Sequence, residues 1–503
     1  AATVTGASLV LDGTANLNGA AVSVADGLDL TLSDSELGSA TITDAGDNTT
    51  VTVTALAADA NLTGITLDGT GSSLAATVTG ASLVLDGTAN LNGAAVSVAD
   101  GLDLTLSDSE LGSATITDAG DNATVTVTAL AADANLTGIT LDGTGSSLAA
   151  TVDTDTVTTL GATANLNGAT VTLAGTGTLS INDAATIAGS DFVVGAGASL
   201  TGSDSQIGGL TITDAGDNTT VTVTALAADA NLTGITLDGT GSSLAATVTG
   251  ASLVLDGTAN LNGAAVSVAD GLDLTLSDSE LGSATITDAG DNTTVTLTAL
   301  AADANLTGIT LDGTGSSLAA TVDTDTVTTL GATANLNGAT VTLAGTGTLS
   351  INDAATIAGS DFVVGAGASL TGSDSQIGGL TITDAGDNAT VTVTALAADA
   401  NLTGITLDGT GSSLAATVTG ASLVLNGTAN LNGAAVSVAD GLDLTLSDSE
   451  LGSATITDAG DNTTVTVTAL AADANLTGIT LDGTGSSLAA TVDTDTVTTL
   501  EPR

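Results

Sequence analysis

The chain repeats itself, and the way its copies differ in length restricts the fold more than any single motif does. The run AATVTGASLVLDGTANLNG begins at Ala1 and returns from Ala75, Ala245 and, with Asn426 in place of Asp12, Ala415, with the related AATVDTDTVTTL starting at Ala149, Ala319 and Ala489. The sequence units are therefore 1–74, 75–148, 149–244, 245–318, 319–414, 415–488 and a partial 489–503. Two unit lengths occur. The longer is the shorter with one block spliced in, roughly INDAATIAGSDFVVGAGASL (181–200).

Within a unit, aliphatic anchors recur at Leu17, Leu37, Leu62 and then Leu91, and in the longer unit at Leu166, Ile187, Ile207, Leu232 and Leu261. Between them SLVLDG, AVSVAD, LDLTLSD, ATITDAG and TVTVTAL alternate apolar and polar residues, and Gly, Asp and Asn punctuate the runs. Strict alternation with such punctuation is strand-like, and the Thr, Val and Gly content argues against helix. Tandem Ig-like β-sandwiches are the alternative all-β reading. A sandwich does not absorb one extra block between two strands and leave everything else untouched. A solenoid does, because each rung touches only its neighbours. The expectation is an all-β parallel β-solenoid (β-helix) of about 20 rungs, counted from the anchors, with 1–503 as one continuous solenoid. Leu17, Leu37 and Leu62, with Val10, Val22, Ile42 and Val51, are expected to stack inside as aliphatic ladders.

Composition then limits the chemistry. The 503 residues include 56 Asp+Glu, one Lys+Arg and no His, for a formal charge of −55, and there is no Cys, Met, Trp or Tyr and only two Phe. A disordered polyanion would lack apolar residues, yet 42% of this chain is hydrophobic. A core without aromatics has to be thin, since small side chains fill only a narrow space at native density. Histidine-based triads, thiol nucleophiles, Schiff-base lysines and His or Cys zinc sites are unavailable to this alphabet. Acid pairs such as Asp34/Glu36, Asp44/Asp47 and Asp153/Asp155 remain, as glycoside hydrolysis would need. They recur without an aromatic platform or a basic residue beside them, the one cation being Arg503 in the tail EPR. The expectation is a protein that is not an enzyme and requires no cofactor.

Calcium, a hard cation, suits Asp, Asn and carbonyl oxygens. The turn DAGDN offers Asp44, Asp47 and Asn48, repeated as Asp118, Asp121 and Asn122, and VDTDT offers Asp153 and Asp155. Neither has the spacing of an EF-hand, and Asp in such turns also caps its own backbone. Rows of outward Thr from TVTVT, ATIT and ATVT raise an ice-binding face as another reading, and Asn48-Thr49-Thr50 and Asn61-Leu62-Thr63 are glycosylation sequons. So dense a negative charge excludes nucleic acid and acidic membrane surfaces as partners and favours divalent cations. No run reaches the roughly 18 apolar residues of a membrane span, so no membrane insertion is expected.

The phrases GATVTLAGTGTLSI (168–181) and ATIAGSDFVVGAGASLTG (185–202) resemble the repeat regions of giant bacterial surface and secreted proteins, the β-strand-repeat and haemagglutinin-like adhesins. That resemblance covers the whole chain and implies a β-helical shaft at the cell surface. The expected function is a structural protein of an extracellular fibre, sheath or surface-layer filament, assembling with itself end to end or side by side. The shaft of an adhesin, or a calcium- or ice-binding solenoid face, is the alternative. The absence of Cys fits a bacterial extracellular setting better than a disulfide-stapled scaffold. The start at Ala1, in mid-repeat, suggests a processed chain or a segment of a longer one.

Overall fold

The computed structural model describes residues 1–494 and residue 497; the remaining residues of the partial unit 489–503, with the tail 501–503 and Arg503, lie outside the described residues. The chain divides into two compact units, Ala1–Thr247 and Val248–Arg503. Each is an all-β parallel β-solenoid, and the turns number about 23 in all.

In the first repeat the strands are β1 (Ala2–Val4), β2 (Leu9–Val10), β3 (Ala21–Val24), β4 (Leu30–Ser33), β5 (Thr41–Asp44), β6 (Thr50–Thr54), β7 (Ile65–Thr66) and β8 (Ser73–Val78). They are short because a Gly, Asn or Asp interrupts the alternation every few residues. One sheet runs β1-β3-β5-β7. A second runs β2-β4-β6-β8 and continues through Ala95–Val98, Thr115–Asp118 and Ile139–Thr140. All these pairs are parallel and join equivalent places one turn apart, as in Ala2↔Val22, Val22↔Ile42, Ile42↔Ile65, Leu30↔Val51 and Val51↔Leu74. In the second unit Leu253–Val254, Leu274–Leu276, Thr294–Leu297 and Ser317–Asp323 begin a sheet built the same way.

Repeat and turn part company at β8. Its first half, Ser73–Ala76, pairs with β6, and its second half, Ala75–Val78, pairs with Ala95–Val98. Residues 76–78 are the copy of β1, yet β1 lies in the sheet of β3 and its copy lies in the sheet of β2, β4 and β6. A repeat is thus not a whole number of turns, and each copy starts one sheet further round. Counting anchors at three or four per unit misses that fraction, so the turns number about 23 rather than about 20.

Alternation sorts the side chains as a sheet requires. Val22, Val24, Ile42, Val51 and Val53 are buried, while Thr3, Ser23, Thr43 and Thr66 form an outward column in the same register. In the spliced turn Val171, Phe192, Ile212 and Ile235 stack as one inward column, none more than 2% exposed. Leu37 and Leu62 are buried as expected, but Leu17, in the first turn, is only half-buried. Val10 is a correction. It is 71% exposed, because Leu9↔Leu30 and Val10↔Thr31 place the leucines of SLVL on the inward row and the valine on the outward one. Its copies Val84, Val254 and Val424 also point out.

Among the described residues six single-turn helices, which the sequence reading did not expect, start at the Asp of Ser-Asp-Ser just after a strand: α1 (Asp34–Leu37), α2 (Asp108–Leu111), α3 (Asp204–Ile207), α4 (Asp278–Leu281), α5 (Asp374–Ile377) and α6 (Asp448–Leu451). In α1 a capping box closes the turn, the Glu36 N–H donating to Ser33 Oγ while the Ser33 N–H donates to Glu36 Oε2 at 2.8 Å. Among the described residues no helix is long and apolar enough to cross a membrane.

Phe192→Ala is expected to cost about 3–5 kcal/mol, through lost burial and the cavity left in a narrow core. The loss should stay local, since a turn touches only its neighbours. Amide exchange of the peptide carrying position 192, whose mass the substitution makes unique, should rise, and the Phe362 copy in the same molecule should keep its protection. Equal loss at both would contradict nearest-neighbour packing.

Candidate functional site

The acidic turns are where the chain concentrates its ionisable groups, and β5 delivers the first of them. Asp44 ends β5 and takes two backbone N–H groups from the next turn, Asp68 on Oδ1 at 2.9 Å and Gly69 on Oδ2 at 2.7 Å. Three residues on, Asp47 Oδ1 accepts from the Thr70 N–H at 2.8 Å, while the Asp47 N–H itself donates to Asp26 Oδ1 at 2.8 Å. Asp29 Oδ1 accepts from the Thr50 N–H at 3.1 Å. Asn48 sits at φ 54, the left-handed region Asn tolerates, and its N–H donates to the Thr70 carbonyl. The loops stack so closely that a Cβ on Gly69 would overlap the carbonyl oxygen of Gly46.

The sequence candidates Asp44, Asp47 and Asn48 therefore do meet in one turn, and Asp118, Asp121 and Asn122 reproduce it, with Asp118 accepting from Asp142 and Gly143 and Asp121 from Thr144. Asp153 and Asp155 form a different bracket. Asp153 Oδ1 accepts from the Asp155 N–H, and Asp155 Oδ1 accepts from the N–H of Thr176 at 2.9 Å. Most of these bonds run to the neighbouring turn rather than to the residue's own loop. Among the described residues no group of three or more His, Cys, Asp or Glu is placed to hold a metal ion. Asp26, Asp29 and Asp68 complete the acidic ladder and were not singled out in the sequence. Their signal is spacing, since donor and acceptor lie 21 to 25 residues apart, about one turn.

Electrostatics sets two groups of carboxylates apart. Burial works against the charged form of Asp44, but the N–H groups of Asp68 and Gly69 and the Ser72 hydroxyl outweigh it and hold its carboxyl below the usual value of 3.8. Asp118, Asp214, Asp288, Asp384 and Asp458 shift the same way through the same kind of partners. Asp34, Asp108, Asp204, Asp278 and Asp374 go the other way. Burial pushes them up, with a smaller push from Asp59, Asp133, Asp229, Asp303 and Asp399 respectively.

A shallow, open depression recurs where a sheet ends. Beside β7, the last strand of its sheet, Thr66, Leu67, Ser72, Ser73, Leu74 and Asn92 border a space of about 340 Å³. Equivalent residues border its copies at Ile139, Ile309 and Ile405. Asn92 spans the step, its Nδ2 donating to the carbonyls of Leu62 and Ile65. Hydroxyls, an amide and aliphatic carbons dominate the lining, with Asp68 the carboxylate at its margin.

Asp118→Asn removes one acceptor and sets an NH₂ against a backbone N–H, and the half-exposed site limits the cost to about 1 kcal/mol. The peptide carrying position 118 should exchange faster than its unaltered copies. Stability should also depend on pH with opposing signs. The Asp44 set contributes stability that is full above 3.8 and disappears as pH falls through the lowered values. The Asp34 set costs stability above its raised values, and that cost vanishes on protonation. Urea midpoints measured across this range should fall on acidification, and Asp118→Asn should fall less steeply than the unaltered chain.

No family model matches the chain, and no curated protein matches it.

Proposed function

We propose that the chain is a structural, non-catalytic protein of an extracellular fibre, sheath or surface-layer filament, acting by its length and by association with further copies of itself. One observation carries this reading. In near-identical copies, carboxylates such as Asp26, Asp44 and Asp47 are spent on backbone N–H groups of adjacent turns. Groups committed to holding a stack together suit a scaffold better than a reaction centre, where a carboxylate needs a free face toward substrate. Glu36 illustrates this: it is 2% exposed, and both its oxygens accept hydrogen bonds. Near-identity of the copies supports the same reading, because a property of length needs every segment to do one thing.

The charge sets the conditions of assembly. Copies bearing −55 each repel one another, and added salt or a divalent cation screens that repulsion. Calcium would enter here, at carboxylate oxygens left over from the staples, such as Asp47 Oδ2. The surface of a cell in a saline medium is the setting this charge suits.

Electron microscopy and fibre diffraction of the purified chain, with and without millimolar calcium, test the proposal. Filaments with an axial spacing near 4.8 Å, the separation of hydrogen-bonded strands, and more of them as ionic strength rises, are expected. Particles that stay discrete at every salt and protein concentration would overturn self-assembly and favour the adhesin-shaft reading, in which a rod carries something else at its tip.

A further inference from the structure

The third residue of the single-turn helix is Glu in four copies (Glu36, Glu110, Glu280, Glu450) and Gln in two (Gln206, Gln376). The two side chains face the same loop positions one turn earlier and meet opposite backbone groups there. Glu110 Oε1 accepts from the N–H groups of Gly87, at 2.7 Å, and Ala89, at 3.3 Å. Its Oε2 accepts from the N–H and hydroxyl of Ser107 at 2.8 and 2.9 Å. Gly13, Gly257 and Gly427 donate in the same way to Glu36, Glu280 and Glu450, each at 2.6 Å. Gly87 does so at φ +87, a conformation that suits glycine. Gln206 instead donates its Nε2 to the carbonyl oxygens of Asp183 and Ala185, and the Ser203 hydroxyl leaves the helix cap for Asp183 Oδ1 at 2.6 Å. Asp183 and Ala185 precede Gln206 by 23 and 21 residues, as Gly87 and Ala89 precede Glu110. Gln376 makes the same pair with Asp353 and Ala355.

We infer that this helix position reads the loop one turn earlier, and so determines which kind of turn can stack on which. A Glu helix follows a loop that turns N–H groups toward it (DGTA or NGTA), and a Gln helix follows the loop NDAA, which turns carbonyls toward it. The chemistry makes the two exclusive. An ionised Glu is an acceptor at both oxygens, whereas Gln carries one acceptor and one donor. Gln at position 110 sets its NH₂ against the N–H of Gly87 or of Ser107, whichever way the amide turns. Glu at position 206 sets a part-buried carboxylate against two carbonyl oxygens and the Asp183 side chain. The spliced block brings the NDAA loop, and a Gln helix follows it in both long units. The longer unit therefore changes loop and helix residue together, while keeping one helix as the shorter unit does.

The test is a double-mutant cycle in the full chain. One variant carries Glu110→Gln, a second carries Asp86→Asn, Gly87→Asp and Thr88→Ala, and a third carries all four changes. Each alters the mass of its own peptides, so amide exchange at 86–89 and 107–111 is read against the unaltered copies in the same molecule. Either change alone should speed local exchange roughly tenfold or more, the loss expected for a buried charged hydrogen bond. The combined variant should return to within roughly threefold of the unaltered copies. A combined effect equal to the product of the two single ones would overturn the inference. Gln206→Glu gives an arm that needs no loop change. Its exchange should exceed that of the Gln376 copy near neutral pH and approach it as the new carboxyl protonates, since the acid then donates to a carbonyl as the amide did. A difference that does not change with pH would also overturn it.

Discussion

A parallel stack of short strands leaves its loops with N–H groups that no neighbouring strand reaches, and the carboxylate one turn away is what satisfies them. Strand pairing alone joins Val24 to Asp44 and then stops. Beyond it the chain turns through Ala45 to Asn48, where the next loop approaches so closely that Gly69 has no room for a side chain. Backbone groups at such an approach are shielded from water, and leaving them unpaired costs more than a hydrogen bond is ordinarily worth. Asp44, Asp47, Asp26 and Asp29 each resolve this by accepting along the stack. The ladder of strands and the ladder of carboxylates are thus one device, extended from sheet into loop.

The interior follows from the same geometry. Turns set close by their loops enclose a narrow space, and outside the spliced turns Val, Ile, Leu and Ala fill it. Phe192 and Phe362 belong to the spliced turn, where each sits in a column between a Val and an Ile. The same turn has Gly202 where an ordinary turn has Leu32, and Ile207 occupies the space that a side chain on Gly202 would need. Large and small exchange places within one turn, so the core keeps its volume while the sequence changes.

Much of this was legible in the residues, for identifiable reasons. Alternation in AVSV and TVTVT has the period of a strand, and one spliced block excludes folds that do not add material one layer at a time. The phase of the repeat was not legible, because nothing in the sequence marks that β8 serves two neighbours with its two halves. Val10 was misplaced for a related reason: in the run LVL every residue is apolar, and only the pairing partner decides which side faces in. The helices escaped because four residues are too few to show a period, although Ser-Asp-Ser-Glu carries the capping-box signature. At the candidate site DAGDN places Asp44, Asp47 and Asn48 in one turn, as the structure has them. What the Asp residues hold was hidden, since their partners lie 21 to 25 residues away and are backbone groups, which no sequence pattern displays.

The net charge then reads as a consequence of the fold's demand for acceptors. Asp44 takes one N–H on each oxygen, and Glu36 takes two donors on each. An amide offers only one oxygen and brings a donor of its own, so a loop with several free N–H groups needs an ionised acid. Each staple adds a negative charge, and many turns of staples add up to a polyanion. The N–H dipoles offset the repulsion locally, which is why the stapled Asp44 set titrates low. Asp34 has one such N–H, from Ala57, which does not offset its burial, and with a smaller push from Asp59 it titrates high. What remains of the repulsion is long-ranged and falls to the salt of the medium. A solenoid made this way is held by its own staples, and the charge left on its surface makes the approach of two copies more sensitive to ionic strength than the stability of any one turn.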